Sequence, residues 1–224
     1  MGTDRLLTIR QTLPRLASLL PHLRPTWHVG SAADVDAAFL ERHEIAAVLW
    51  DVDGTIMAYH GSDVAPEFPH LRVLFHEGPG RHAILSNCDE HRFGTLGDIF
   101  PEVPILRGYV TDEGMVFRQR LQGRDTLRED DVHALLTNGG RQLRKPSGEL
   151  VRYGMEVLEV RDSTAMLMVG DQYFTDIASA NLAGARSAKV PTFKPESFPA
   201  SLRASQRFER VLYRVATTLG VMSR

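Results

Sequence analysis

Residues 46–60 read AAVLWDVDGTIMAYH, and the order of these side chains decides how the chain is built. An apolar run from Ala46 to Trp50 stops at Asp51, and Asp53, Gly54 and Thr55 follow at once. A short, continuous apolar run of this kind is the pattern of a strand buried on both faces. Two carboxylates one residue apart raise the cost of ionising both. Solvent, hydrogen bonds or a bound cation must offset that cost.

Three more runs share the pattern: HAILSN (82–87), VPILRGYV (103–110) and TAMLMVGD (164–171). SAKVPTF (187–193) is expected to be the last strand. Helical spacing separates the runs. Leu6 to Leu23 reads as an amphipathic helix interrupted at Pro14. Ser31 and Asp34 open a helix with Val35, Ala38 and Phe39 on its apolar side. Pro69 to Phe75 is helical and Gly78 stops it. Asp89 caps a helix carrying Phe93 and Leu96, and Ser147 opens one through Val151, Met155 and Leu158. Residues 175–184 end at Gly184. Phe208, Val211, Leu212, Val215 and Leu219 repeat a helical stripe at the C-terminus. TDEG (111–114) reads as a hairpin turn. The hairpin and a short helix at Val132, Leu135 and Leu136 form an insertion over 107–141. Buried strands alternating with helices predict an α/β fold in three layers, with a mostly parallel sheet. The chain reads as one domain, 1–224.

Composition narrows the function. The 224 residues carry a net charge of −2, so no overall field draws the chain to nucleic acid or to anionic lipid. The charge is uneven along the chain. No Asp or Glu lies between Arg5 and Ala33, and only Glu209 opposes the arginines from Arg203 to Arg224. Such basic amphipathic ends suit either a core-packed helix or peripheral membrane contact. Cys88 is the only cysteine, which excludes an internal disulfide and fits a cytoplasmic setting. Arg10, Pro14 and Arg15 break any secretory apolar segment, and no run has the length of a membrane span. The nine histidines form no metal-ligand pair. Oligomeric state is not encoded in any of this.

In a parallel sheet, ligands bind beyond the carboxyl ends of the strands. The polar residues at those ends are Asp51, Ser86 with Asn87, and Asp171. With Asp53, Thr55, Lys145 and Asp176 they form a set of hard oxygen ligands plus one ammonium. Lys145 is one of only three lysines, with Lys189 and Lys194. Carboxylates without cysteine or histidine partners favour Mg²⁺, which in turn takes phosphate oxygens. An EF-hand loop starting at Asp51 would need Gly and Glu where Ile56 and Ser62 stand. A receiver domain would place all its acids before its hydroxyl and lysine, whereas here Ser86 and Lys145 precede the final acids, Asp171 and Asp176.

The segments DVDGT, LSN, RKPSG and VGDQYFTDIASANLAG resemble, in this order, the four motifs of the haloacid dehalogenase (HAD) phosphohydrolase superfamily. The resemblance implies a Rossmann-like core, Mg²⁺ and hydrolysis of a phosphate monoester through an aspartyl-phosphate. It makes Asp51 the nucleophile and a metal ligand. Asp53 becomes the general acid/base, with its backbone carbonyl a further ligand. Ser86 and Lys145 hold the phosphoryl group, with Thr55 and Asn87 beside the substrate. Asp171 and Asp176 complete the metal site. GDQYFTDIASANLAG is further similar to the YqeG-type phosphatases of subfamily IIIA, a group that includes the phosphatidylglycerophosphate phosphatase. That narrower resemblance implies a lipid head group as substrate; a soluble sugar or nucleotide phosphate is the alternative, and a non-catalytic binding protein a third reading. Two positions depart from the subfamily: Gly54 stands where Asn is usual, and Cys88 where a second Asn is common. His91 and Arg92, just after the second motif, are secondary candidates.

Overall fold

The strand Ala47–Trp50 is the axis of the molecule. A computed structural model describes residues 16–218 and Gly220. In chain order the elements up to the hairpin are α1 (Leu16–Leu19), β1 (Trp27–His28), α2 (Ala37–Arg42), β2 (Ala47–Trp50), α3 (Pro69–Glu77), β3 (His82–Leu85), α4 (Glu90–Ile99), β4 (Ile105–Thr111) and β5 (Gly114–Leu121). Then come β6 (Arg124–Asp125), α5 (Glu129–Thr137), β7 (Arg141–Leu143), α6 (Gly148–Val157), β8 (Met166–Gly170), α7 (Ala178–Ala183), β9 (Arg186–Lys189) and α8 (Ala200–Thr218). The sheet runs β1-β9-β8-β2-β3-β4-β5-β6, with β7 also on β4. Pairing is parallel from β1 through to β4 and antiparallel beyond it. The mixed α/β fold expected from the sequence is therefore present.

Side-chain alternation along β2 builds the two cores. Val48 and Trp50 point to one face, where α2, α3 and α4 supply Phe39, Leu71, Phe75, Phe93 and Leu96. Ala47 and Leu49 point to the other, against Leu150 and Val151 of α6 and Ala180 of α7. Leu49 is fully buried, and burying a side chain of its size contributes about 2 kcal/mol. Register then sets the chemistry. Trp50 lies opposite Ile84 of β3 and Val169 of β8, so these three strands end at one level. The residues that follow meet at that edge.

Several expectations need correction in detail. Ser31 caps a 3₁₀ turn, Ala32–Asp34, through a reciprocal capping box; α2 starts afresh with Asp36 as its cap. Ala38 faces solvent and Leu40 fills the core instead. The last strand stops at Lys189, before Pro191, which has no N–H to offer a ladder. Residues 107–141 do form a hairpin and a helix. Their strands lie in the plane of the central sheet, extending its antiparallel edge. The expected helix from Leu6 falls mostly outside the described residues; what is described is α1 and a 3₁₀ turn, Leu20–His22.

The C-terminal helix turns most of its expected stripe outward, and of that stripe Leu212 packs inward against the cluster of Leu19, Leu23 and Tyr173. Phe208, Val211 and Val215 of α8 are 51%, 56% and 48% exposed. Gln206, Glu209 and Ala216 are its buried residues. Hydrophobic spacing does not anticipate this, because two of the buried groups, Gln206 and Glu209, are polar and are held by polar partners.

Candidate active site

Lys145 sits at the centre of the edge where the strands end, almost fully buried. Its Nζ donates to Asp51 Oδ1 at 2.6 Å, to Asp176 Oδ1 at 2.6 Å and to the Leu85 carbonyl at 2.8 Å. All three ammonium protons are thus used. Burial opposes the charge, but Asp176 and Asp51 outweigh it and hold the ammonium above its usual range. The backbone at Lys145 is clasped by Asn87. Asn87 Nδ2 donates to the Lys145 carbonyl, and Lys145 N–H donates to Asn87 Oδ1, both at 2.8 Å.

Asp51 directly follows β2, and its N–H donates to Val169 O on β8. Thr55 Oγ1 donates to Asp51 Oδ2 at 3.3 Å. Burial pushes the Asp51 carboxyl up to about 7, with Lys145 opposing and Asp176 assisting. Gly54 has φ +86°, a left-handed conformation that glycine adopts without penalty. A Cβ there would also lie 2.7 Å from the Phe198 ring. The departure from Asn at this position thus has a local cause: Phe198 occupies the space, its ring tilted against that of Tyr59.

Asp53 turns away from the ammonium. Its Oδ1 accepts from Arg92 Nη2 at 3.2 Å and from the His60 N–H at 2.9 Å. Arg92 is 7% exposed, and its Nε–H is buried without a partner. His91, its neighbour, faces solvent. Ser86 lies one residue beyond β3, half-buried at the same edge.

The fourth segment is shaped by its backbone. After β8, a π-helical turn spans Tyr173–Ile177 and leads into α7. π turns widen a helix and recur at functional sites. This one swings Asp176 back toward Gly170, where any Cβ would meet the Asp176 carboxyl at 2.2 Å. Asp176 Oδ2 accepts from the Gln172 N–H at 3.0 Å. Asp171 lies alongside, its carboxyl raised well above the usual range by burial, with Asp176 and Asp51 adding to the rise.

Asp51, Asp171 and Asp176 present oxygens within 4.8 Å of one another. Three carboxylates face one ammonium, so two negative charges have no direct partner in the cluster. Asp171 Oδ1 is buried with no hydrogen bond. An orphaned buried carboxylate oxygen in an all-oxygen cluster fits a hard divalent cation such as Mg²⁺. The carboxylate of Asp53 is outside this cluster.

Two contributors come from α8. Gln206 Nε2 donates to Asp171 Oδ2 at 3.4 Å. Glu209 accepts from the N–H groups of Tyr173 and Phe174, at 3.0 Å for the latter. It supplies from a distant helix the cap that the π turn lacks. Burial raises the Glu209 carboxyl well above its usual range. Lys189, also buried, adds positive charge facing Asp171 and Glu209. The scarcity of lysine points to Lys189 in the sequence; nothing there marks Gln206 or Glu209. Cys88 Sγ lies 2.8 Å from Arg107 Nη2, in a buried structural contact.

Residues 142–206 match the HAD-hydrolase-like family model. That matched segment carries Lys145, Asp171 and Asp176. No curated protein matches the chain. Among solved structures, the chain is similar to an uncharacterized protein from Listeria monocytogenes serotype 4b. Identity is 16% and the TM-score 0.37, over 64% of this chain and 76% of that one. It is also similar to a p-nitrophenyl phosphatase from Archaeoglobus fulgidus, at 17% identity and TM-score 0.22. That match covers 72% of this chain and 60% of the other.

Proposed function

We propose that the protein is a Mg²⁺-dependent phosphohydrolase that cleaves a phosphate monoester through an aspartyl-phosphate. One observation carries this reading: the Lys145 ammonium joins Asp51 to Asp176, with the unpartnered Asp171 oxygen beside them. Asp51, Asp171 and Asp176 would hold Mg²⁺. When bound, the ion offsets the charge of the carboxylates and of the incoming phosphoryl oxygens.

Asp51 attacks phosphorus through a carboxylate oxygen, and the bond to the leaving oxygen breaks. Asp53 gives that oxygen its proton. The same carboxylate, now ionised, takes a proton from water as the water attacks the acyl phosphate. Arg92 and the His60 N–H fix the Asp53 side chain for both steps. Lys145 holds Asp51 in place and faces the transferring group with positive charge. Ser86 offers a hydroxyl to a phosphoryl oxygen.

The substrate we favour is a phosphorylated lipid head group, phosphatidylglycerophosphate-like. It is supported by the similarity of residues 170–184 to the YqeG-type segment. The test is hydrolysis of an aryl phosphate, then of a panel holding lipid, sugar and nucleotide monophosphates. Asp51→Asn is expected to lower turnover by more than about 10⁴-fold, and EDTA to abolish it. Normal turnover in that variant removes Asp51 as nucleophile. Preference for a sugar or nucleotide phosphate overturns the lipid assignment alone. Mg²⁺ binding without hydrolysis of any panel member leaves a binding protein.

A further inference from the structure

Helix α8 (Ala200–Thr218) carries two parallel rows on its outer half. Arg203, Arg207, Arg210 and Arg214 recur at i, i+4, i+7 and i+11. Ala204, Phe208, Val211 and Val215 recur at the same spacing, one position on. That spacing places each set along one side of a helix, so a basic stripe borders an apolar stripe. Arg207, Arg210 and Arg214 are exposed, as are all four members of the apolar row. The one acidic residue of the helix, Glu209, is buried on the inner side. Among the described residues, no ion pair engages any of the four arginines.

We infer that this face of α8 docks on an anionic lipid surface. A helix of low overall hydrophobicity, with a concentrated apolar side and an arginine-rich flank, lies in the interface plane of a bilayer. The apolar row would enter the boundary between head groups and acyl chains, and the arginines would meet anionic head groups. Charge complementarity selects this partner over a second copy of the chain, whose identical arginine stripe would repel. The docking is peripheral: among the described residues, no helix is long and apolar enough to cross a membrane.

The inner side of the same helix touches the site, since Gln206 reaches Asp171. A bilayer on the outer side therefore lies one helix thickness, about 10 Å, from the acidic cluster. The docking proposal stands on α8 alone and does not depend on the phosphohydrolase reading.

The test is co-sedimentation of the full chain with phosphatidylcholine vesicles, with and without phosphatidylserine. Binding is expected only with the anionic lipid, and is expected to fall as salt rises. Arg207→Gln/Arg214→Gln is expected to weaken partitioning about 30-fold. Phe208→Ser/Val211→Ser is expected to weaken it about 10-fold or more. All four positions are exposed, so unchanged unfolding midpoints should accompany the loss. Salt-independent binding, equal binding to neutral vesicles or full binding by both variants overturns the proposal. So does absence of vesicle binding together with self-association that Phe208→Ser/Val211→Ser removes, which would assign the face to a second copy.

Discussion

Lys145 is the residue on which the site turns. Its ammonium is the direct counter-charge between two buried carboxylates. Removing one partner of a buried ionic cluster costs far more than the pair contributes net, because uncompensated charge stays behind. Lys145→Met keeps most of the volume and removes the charge together with its three hydrogen bonds. It is expected to destabilise the Mg²⁺-free protein by about 3 kcal/mol, read as a lower midpoint in urea, and to abolish hydrolysis. An unchanged midpoint would mean that Asp51 and Asp176 are not held as an ionic cluster. Asp171 is the residue most readable from sequence, since GDQ directly follows an apolar strand; Asp51, in a D-x-D-G-T that also suits a solvated turn, becomes readable only beside it. Arg92 is less readable: its spacing from Asp89 marks a helix surface, and only the fold brings its guanidinium to Asp53.

At the scale of elements, α8 acts as a brace. It meets the fourth segment with two polar side chains, one on Asp171 and one on the start of the π turn. Gln206→Ala frees the Asp171 carboxylate to rotate. Loss of such an outer partner is expected to weaken Mg²⁺ binding about 10-fold, measured by calorimetric titration with the metal alone. Unchanged affinity would reduce Gln206 to a packing residue. Elements differ in how far sequence exposes them. Strands β2, β3 and β8 are plain because both their faces are apolar and polar residues follow at once. The inner side of α8 is partly hidden, because periodicity weighs hydrophobicity and this interface joins Leu212, Tyr213 and Ala216 to the polar Gln206 and Glu209. The π turn is hidden too: one extra residue in a helical turn leaves no compositional trace.

Across the whole molecule, stability should depend on pH through His82 as well as through the acidic cluster. His82 is buried under Trp50, whose Nε1–H donates to its Nδ1 at 3.2 Å. Burial, aided by Arg81, lowers its pKa from 6.5 to about 4. The folded state therefore keeps the ring neutral where the unfolded chain binds a proton. Stability from this group is complete above 6.5 and is lost as pH falls toward about 4, by about 3 kcal/mol in all. Asp51, Asp171 and Glu209 act with opposite sign, because their raised carboxyls favour the fold when protonated. The His82 share is thus read as a difference. His82→Asn should flatten the slope of unfolding free energy over that window relative to wild type, and parallel slopes would refute the assignment.

The Asn87 clasp has a consequence for how this architecture tolerates change. Between Asn87 and Lys145 the chain leaves the catalytic edge, builds β4 to β7, and returns to a point fixed by two hydrogen bonds. The excursion is closed at its neck, so whatever happens at its far tip is mechanically isolated from the acidic cluster. The turn at Gln122 and Gly123, beyond β5, is where a foreign domain could be spliced in or the chain cut, with the two halves still held in register.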